Sequence, residues 1–477
     1  MILKHKFKLI ATAVLLAASV VSCDKKLDLE PRQSIDADNA LTTPDDVDAA
    51  VVGCYSIMGG GALYGTNLLM VPELQGSYFP NSEQYISWTG TFLGQREIAR
   101  KIMRSNNGEA ARIWNAAYSA INMANVVLSA LDIVTDADQK AQLEGEALFV
   151  RGILHFELVR LYGLPWGATA GNNTPGVVIK TTPTKTEEEA FQRTPRSTVA
   201  QVYTQVINDL TAAVAKLPED NGTRADRYTA LAFLAKVYLQ QSNFEGARDA
   251  ADEVINSGKY EMSASVSTVF ANKNTTESIF EIQQNEQNNA GTANDGMATF
   301  FASLIGIGRA DVRVSAAFRN TYNVADRRRN EWYYVSVPPA PRSGNIYCSK
   351  WTSFSQNLPI VRIAEMFLIR AECNLRLGTA VGATPAADLA EIRNPVRTGL
   401  AVIAAPTLND ILAERRLEFA CEGFRIHEIK RLQQSWGTDP DDPMLPLYVW
   451  DQEELVFPIP EAEVQATEGV ITQNPGY

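Results

Sequence analysis

The stretch Tyr228-Thr-Ala-Leu-Ala-Phe-Leu-Ala-Lys-Val-Tyr-Leu239, followed closely by Asn243-Phe-Glu-Gly-Ala-Arg-Asp-Ala-Ala251, decides the fold class. Ala235, the aromatic Tyr238 three residues on, and Ala247 and Ala251 twelve and sixteen on stand at the spacing of a tetratricopeptide unit. Small residues let two antiparallel helices approach closely, and the aromatic fills the gap between neighbouring units. A looser copy sits at Ala371, Ala383, Ala387 and Ala390, where the signal is weaker because alanine is common in any helix.

The same periodicity recurs on either side. Thr43-Pro44-Asp45-Asp46 is a helix start: a capping hydroxyl, proline in the first turn, and acids near the positive end of the dipole. Residues 109–131, 136–162, 198–217 and 228–241 carry apolar side chains at three- and four-residue spacing, and Gly163 and Pro165 stop the second of these runs. The expected fold is mostly α, helix pair on helix pair. Residues 260–359 differ: they are rich in Asn, Gln, Ser and Gly, with β-leaning pieces at Ser278-Ile-Phe-Glu-Ile282 and Trp332-Tyr-Tyr-Val-Ser-Val337. So long a weakly periodic region in a compact chain is usually functional or poorly ordered. Gly59-Gly60-Gly61, followed by Gly65, reads as a flexible loop beside Tyr64.

The N-terminus is an address. Lys4, Lys6 and Lys8 precede an uninterrupted apolar and small run from Leu9 to Val21, too short to span a bilayer. Val20-Val21-Ser22-Cys23 then resembles a bacterial lipobox, which makes residues 1–22 a lipoprotein signal peptide, Cys23 the acylated first residue, and 23–40 a polar tether. Several acyl chains on Cys23 would anchor it firmly, since each buried CH₂ contributes ~0.8 kcal/mol. Residues 41–477 are read as one domain. Of the 477 residues, 43 are Lys or Arg and 55 Asp or Glu, a net charge of -12. Removing residues 1–22 takes away three lysines and no acid, giving -15. So acidic a chain lacks the positive footprint of a nucleic-acid binder.

Catalytic patterns do not hold. There is no G-x-S-x-G, no H-E-x-x-H and no phosphate-binding G-x-x-x-x-G-K-[ST]. Two histidines follow the leader, His155 and His427, and both fall in or beside scaffold helices. Asp439, Asp441 and Asp442 lack the glycine and the terminal glutamate of a calcium loop. Cys54, Cys348, Cys373 and Cys421 form no C-x-x-C pair, and Cys373 and Cys421 lie in helical patterns as small hydrophobes. No catalytic residue, metal site, disulfide framework or cofactor is expected.

Binding chemistry has better support. Tyr64, Tyr78, Phe79, Tyr85, Trp88 and Phe92 are interleaved with Asn67, Gln75, Asn81, Glu83, Gln84 and Ser87. A sugar ring offers an apolar C–H face and a rim of hydroxyls, which aromatic plates and amides or carboxylates can cover. Trp332, Tyr333 and Tyr334 form a second aromatic group, and Phe300 and Phe301 a third. The candidate ligand residues are Tyr78, Asn81, Tyr85, Trp88, Trp332 and Tyr333; the plain alternative for each aromatic is a place in the core.

Several motifs in fixed order go further: Gly145-Glu-Ala-Leu-Phe-Val-Arg-Gly-Ile-Leu-His-Phe-Glu-Leu-Val-Arg-Leu-Tyr-Gly-Leu-Pro165, Pro359-Ile-Val-Arg-Ile-Ala-Glu-Met-Phe-Leu-Ile-Arg-Ala-Glu372, Glu414-Arg-Arg-Leu-Glu-Phe-Ala-Cys-Glu-Gly-Phe-Arg425, Phe457-Pro-Ile-Pro460 and the terminal Gln473-Asn-Pro-Gly-Tyr477. With the lipobox, they make the whole chain resemble SusD/RagB-type outer-membrane lipoproteins of Bacteroidetes nutrient-uptake systems. That resemblance implies four tetratricopeptide-like units with an irregular half carrying the ligand surface. It also implies an outer-membrane, surface-exposed location, and a TonB-dependent (SusC-like) β-barrel transporter as partner. The ligand would be an oligosaccharide, or alternatively a peptide. The competing functions are a protein adaptor without small-molecule affinity, and a surface glycoside hydrolase. Arg415, Arg416, Glu418, Glu422 and Arg425 are expected to pair along one helix as scaffold, with Arg362, Glu365, Arg370 and Glu372 doing the same.

Overall fold

The computed structural model describes residues 41–77, 85–437 and 447–477. The leader, Cys23, the tether, Tyr78, Asn81 and the three aspartates at 439–442 lie outside the described residues.

Local signals place the helices. Helix α1 (Pro44–Met58) starts at Thr43, whose hydroxyl accepts the Asp46 N–H at 3.2 Å while the Asp46 carboxylate accepts the Thr43 N–H at 2.8 Å. This reciprocal cap satisfies two otherwise orphan donors. Helices α2 (Gly108–Ser129), α3 (Ala137–Tyr162) and α4 (Val199–Lys216) are capped by Asn107, Asp136 and Thr198. Helices α5 (Arg227–Gln240), α6 (Phe244–Asn256), α7 (Ile363–Leu377) and α8 (Pro385–Ile392) complete a row in which each helix packs on the next. Four helix pairs result, and the fold is mostly helical. Helix α3 lies close against the end of α4: a Cβ on Gly145 would stand 2.8 Å from Cγ of Leu217, the residue that follows α4, so glycine is needed there.

In the pair α5/α6, Ala235, Ala247 and Ala251 are fully buried, as the spacing requires. The looser copy is different. Ala371 is buried, but Ala387 is exposed and Ala383 precedes the helix. Helix α8 instead buries Asp388, Leu389 and Ile392, with the Asp388 carboxylate held by Arg370 at 2.5 Å. An ion pair and two branched side chains, not a small-residue register, close this last pair.

The irregular half fills the chain between α6 and α7. Strands β1 (Ile86–Trp88), β2 (Ser278–Ile282), β3 (Val312–Val314), β4 (Tyr333–Val335), β5 (Ile346–Cys348) and β6 (Leu358–Arg362) make an antiparallel sheet ordered β1-β3-β5-β4 and a β2–β6 ladder. Both β-leaning sequence pieces are therefore strands. The pairing Trp88↔Val312 ties the N-terminal third to this half. The Gly59–Gly65 segment is a packed turn rather than a flexible loop: Tyr64 N–H donates to Met58 O at 2.9 Å, and the buried Tyr64 hydroxyl donates to Glu157 at 2.9 Å.

The run expected as one helix at 414–425 is two. Helix α9 (Leu408–Glu418) ends, the chain turns, and α10 (Arg425–Arg431) begins. Cys421 (φ +66°) and Gly423 (φ +89°) are left-handed, so Cys421 sits in a turn and not in a helix. A Cβ on Gly423 would lie 2.9 Å from Leu69 Cα. The Glu73 carboxylate accepts the N–H groups of Gly423 and Phe424, each at 2.7 Å, and of Arg425 at 3.3 Å.

Beneath this turn lies a buried charge network. The buried Arg328, Lys350, Arg362 and Arg397, with the half-buried Arg393 at the rim, face Asp326, Glu277, Glu414, Glu418 and Glu422, five cations against five carboxylates among the described residues. Glu418 and Glu422 thus pair across the fold rather than along one helix. Arg415 pairs with Glu428 at 3.0 Å.

Candidate ligand-binding surface

The aromatics offered by the sequence separate by the partners of their polar tips. Trp332 is 1% exposed; its indole N–H donates to Val266 O at 2.9 Å, and the Lys350 ammonium lies 3.9 Å from the ring centroid. Tyr333 is equally buried, its hydroxyl sharing a hydrogen bond with Tyr322 at 2.9 Å. Tyr85 is buried too: its hydroxyl donates to Glu73 and accepts the Cys421 N–H at 2.9 Å, with its ring edge-on to Phe318 at 4.7 Å. A buried polar tip with a protein partner carries no desolvation debt for a ligand to settle. The expectation for Tyr85, Trp332 and Tyr333 is therefore revised to core. Asn67 and Gln75, two of the interleaved polar residues, are likewise buried and donate to Glu109 and to Leu455 O, each at 2.7 Å.

Trp88 is the exception. It ends β1 half-buried, with the Phe300 ring 5.6 Å away. Phe92 lies edge-on to Phe300 at 6.1 Å, and the Arg309 guanidinium covers Phe92 at 4.4 Å. The Trp88 indole N–H is buried and, among the described residues, has no hydrogen-bond partner. Beside it Arg309 and Arg342 flank the buried Asp311 at 3.0 and 3.2 Å, and Arg342 also donates to the Thr89 carbonyl at 2.5 Å. Burial pushes the Asp311 carboxyl up from its ordinary value against the pull of both arginines. Ile305, Val335 and Val337 are exposed in the neighbouring segments, and the half-buried Tyr334 accepts the Ser303 N–H at 2.7 Å.

The arrangement offers an aromatic group with charged donors beside it, the furniture for a ring with an apolar face and a polar rim. Trp88 and Phe92 are among the aromatics the sequence offers as candidates; Arg309, Asp311 and Arg342, beside them in the fold, carry no such sequence signal. They sit in irregular backbone, and only the pairing of β1 with β3 brings them alongside. The histidines are withdrawn from such chemistry. Burial, then Arg151, lowers His155 to about 4, and its Nε2 accepts the Lys180 N–H at 3.4 Å; burial likewise holds His427 well below its ordinary value. Among the described residues no group of three or more His, Cys, Asp or Glu could hold a metal ion.

Comparison with known proteins follows the same lines. A family model described as "Starch-binding associating with outer membrane" matches residues 29–239, and the SusD family model matches residues 342–477. SusD-like protein P2 of Formosa agariphila is 24% identical over 532 residues, covering 99% of this chain and all of the relative. A SusD superfamily protein from Bacteroides thetaiotaomicron superposes with a TM-score of 0.80 at 25% identity, over 91% of this chain and 100% of that one. A laminarin-binding SusD-like protein superposes at 0.74 with 22% identity, over 92% and 100%. The helix row, the irregular half inserted into it, and these matches at both ends of the sequence make the chain a member of the SusD/RagB family, whose proteins associate with the outer membrane.

Proposed function

We propose that this protein captures a glycan at the cell surface and hands it to a TonB-dependent β-barrel transporter of the SusC type. Residues 1–22 serve as the export signal, acylated Cys23 as the anchor and 23–40 as the tether. Residues 41–477 act as one binding domain. The observation that carries the reading is the half-buried Trp88, its ring against Phe300 and its indole N–H without a partner among the described residues, near the Arg309–Asp311–Arg342 group on a scaffold of family type. A fold shared with a laminarin-binding protein supports a carbohydrate as the ligand class. The test uses the acylated full-length protein in mild detergent: calorimetric titration with laminarin-, starch- and mannan-derived oligosaccharides and with mixed peptides, alongside co-purification from solubilised membranes. Binding of at least one glycan and recovery with a large outer-membrane barrel are expected. Binding of peptides alone would refute the glycan reading, and recovery of the protein alone would refute the transporter reading.

A further inference from the structure

The turn between α9 and α10 encloses, with Tyr85 and Glu73, a cavity of about 270 Å³. Its apolar wall is the stacked pair Phe419 and Phe424, with centroids 4.6 Å apart and planes 19° apart. Five charged side chains face it: Glu73, Glu428, Arg415, Arg416 and Arg425. Both acids are engaged elsewhere. Glu73 takes the Tyr85 hydroxyl and three backbone N–H groups, and Glu428 takes Arg415 at 3.0 Å and Arg431 at 2.6 Å. Burial alone would raise the Glu428 carboxyl, but those guanidiniums hold it well below its ordinary value.

Arg416 and Arg425 are left over. Among the described residues neither has a carboxylate or hydrogen-bond partner; the Arg425 Nε–H is buried and unpaired, and Arg416 has only the Phe318 ring, 5.6 Å away. Burial and then the Arg416 charge lower Arg425 to about 10. Two neighbouring guanidiniums, one of them largely desolvated, carry an unfavourable energy that an oxyanion between them relieves through charge-assisted hydrogen bonds. The contrast is close at hand, since the adjacent network matches each of its cations with a carboxylate. The volume suits a single ring rather than a chain.

We infer that this cavity is a subsite for an oxyanion carried on a sugar ring, the carboxylate of a uronate or a sulfate ester, held by Arg416 and Arg425 against the Phe419–Phe424 wall. The inference rests on the glycan-capture reading and narrows it to acidic glycans. The test titrates the acylated full-length protein with galacturonate oligosaccharides, a chondroitin-sulfate disaccharide, a neutral gluco-oligosaccharide and sodium sulfate. At least one acidic sugar should bind. Arg425→Gln should weaken it on the order of tenfold or more, and raising the salt should weaken it too. Arg416 is exposed, so Arg416→Glu should melt like the parent while abolishing acidic-sugar binding. Binding of the uronate but not the sulfated disaccharide, or the reverse, identifies the oxyanion and supports the subsite. Neutral-glycan binding with no acidic-sugar binding overturns the subsite and leaves glycan capture standing. Sodium sulfate binding with no sugar means an adventitious ion only, and overturns it. Loss of the co-purifying barrel in Arg416→Glu, with sugar binding intact, assigns the cavity to a protein carboxylate and overturns it as well. If nothing binds, both readings fall.

Discussion

Replacing Glu418 by glutamine tests whether the buried charge network holds the C-terminal part in place. Glu418 is fully buried and accepts from Arg397 at 2.7 Å, Arg328 at 2.8 Å and Arg362 at 3.0 Å. The amide keeps the shape and removes one negative charge, so five cations, four of them buried, then face four carboxylates. Breaking a buried pair in this way costs about 3–5 kcal/mol, and retained amide hydrogen bonds favour the lower end. Arg397→Met alone should cost a similar amount. The double variant restores neutrality, so it should cost less than the sum of the two by about 1–2 kcal/mol. The assay is urea unfolding of parent, both single variants and the double, followed by circular dichroism and reported as midpoint and slope. A Glu418→Gln protein within about 1 kcal/mol of the parent, or strict additivity, would refute the argument that the charges are matched one for one.

Acid should reveal the same carboxylates. Burial works against the charged form of Glu418, but Arg397, Arg362 and Arg328 together hold it well below its ordinary value. Its contribution is therefore present above the usual carboxylate range near 4.3 and lost only as pH falls through the lower folded value. The parent's urea midpoint should hold down to that range and then fall, and Glu418→Gln should show a shallower acid limb; parallel acid limbs would count against it. Trp88→Ala should weaken glycan binding by about 0.5–1.5 kcal/mol, about twofold to tenfold, while Trp436→Ala, at a tryptophan after α10 that packs on Ile426, Ile429 and Leu455 with Tyr448 5.2 Å away, should leave it unchanged. Calorimetry on variants that melt like the parent checks this, and equal affinities would return Trp88 to the core. Cys23→Ala should shift the protein out of the membrane fraction; a variant still in the outer-membrane pellet after a high-salt wash would exclude acylation as the anchor.

What the sequence showed was what short-range physics governs. Thr43, Asp136 and Thr198 cap their helices through hydrogen bonds within three residues, so those starts could be read directly. The aromatics could not be sorted so easily. Trp332 is a core residue because Val266, Phe270 and Lys350 converge on it from distant segments, and no local pattern distinguishes it from a sugar plate. The helix break after Glu418 was equally hidden. The run 414–425 has helical composition apart from Gly423, and the turn is imposed by Leu69 and Glu73, some 350 positions earlier. The arginine cavity depends on that turn and shares its invisibility.

The charge network also dictates an order of assembly. Its members span Glu277 to Glu422, whereas the first three helix pairs, α1/α2, α3/α4 and α5/α6, end at Asn256. Those pairs draw on nearby sequence and can form as soon as they are available; the network must wait until the last helices have arrived. Until then Arg328, Arg362 and Arg397 remain hydrated and the faces they will cover remain exposed. A chain supplied from its N-terminus thus carries a half-finished, adhesive solenoid from the arrival of Asn256 until Glu422 has followed, and that interval is when a holdase would be needed most.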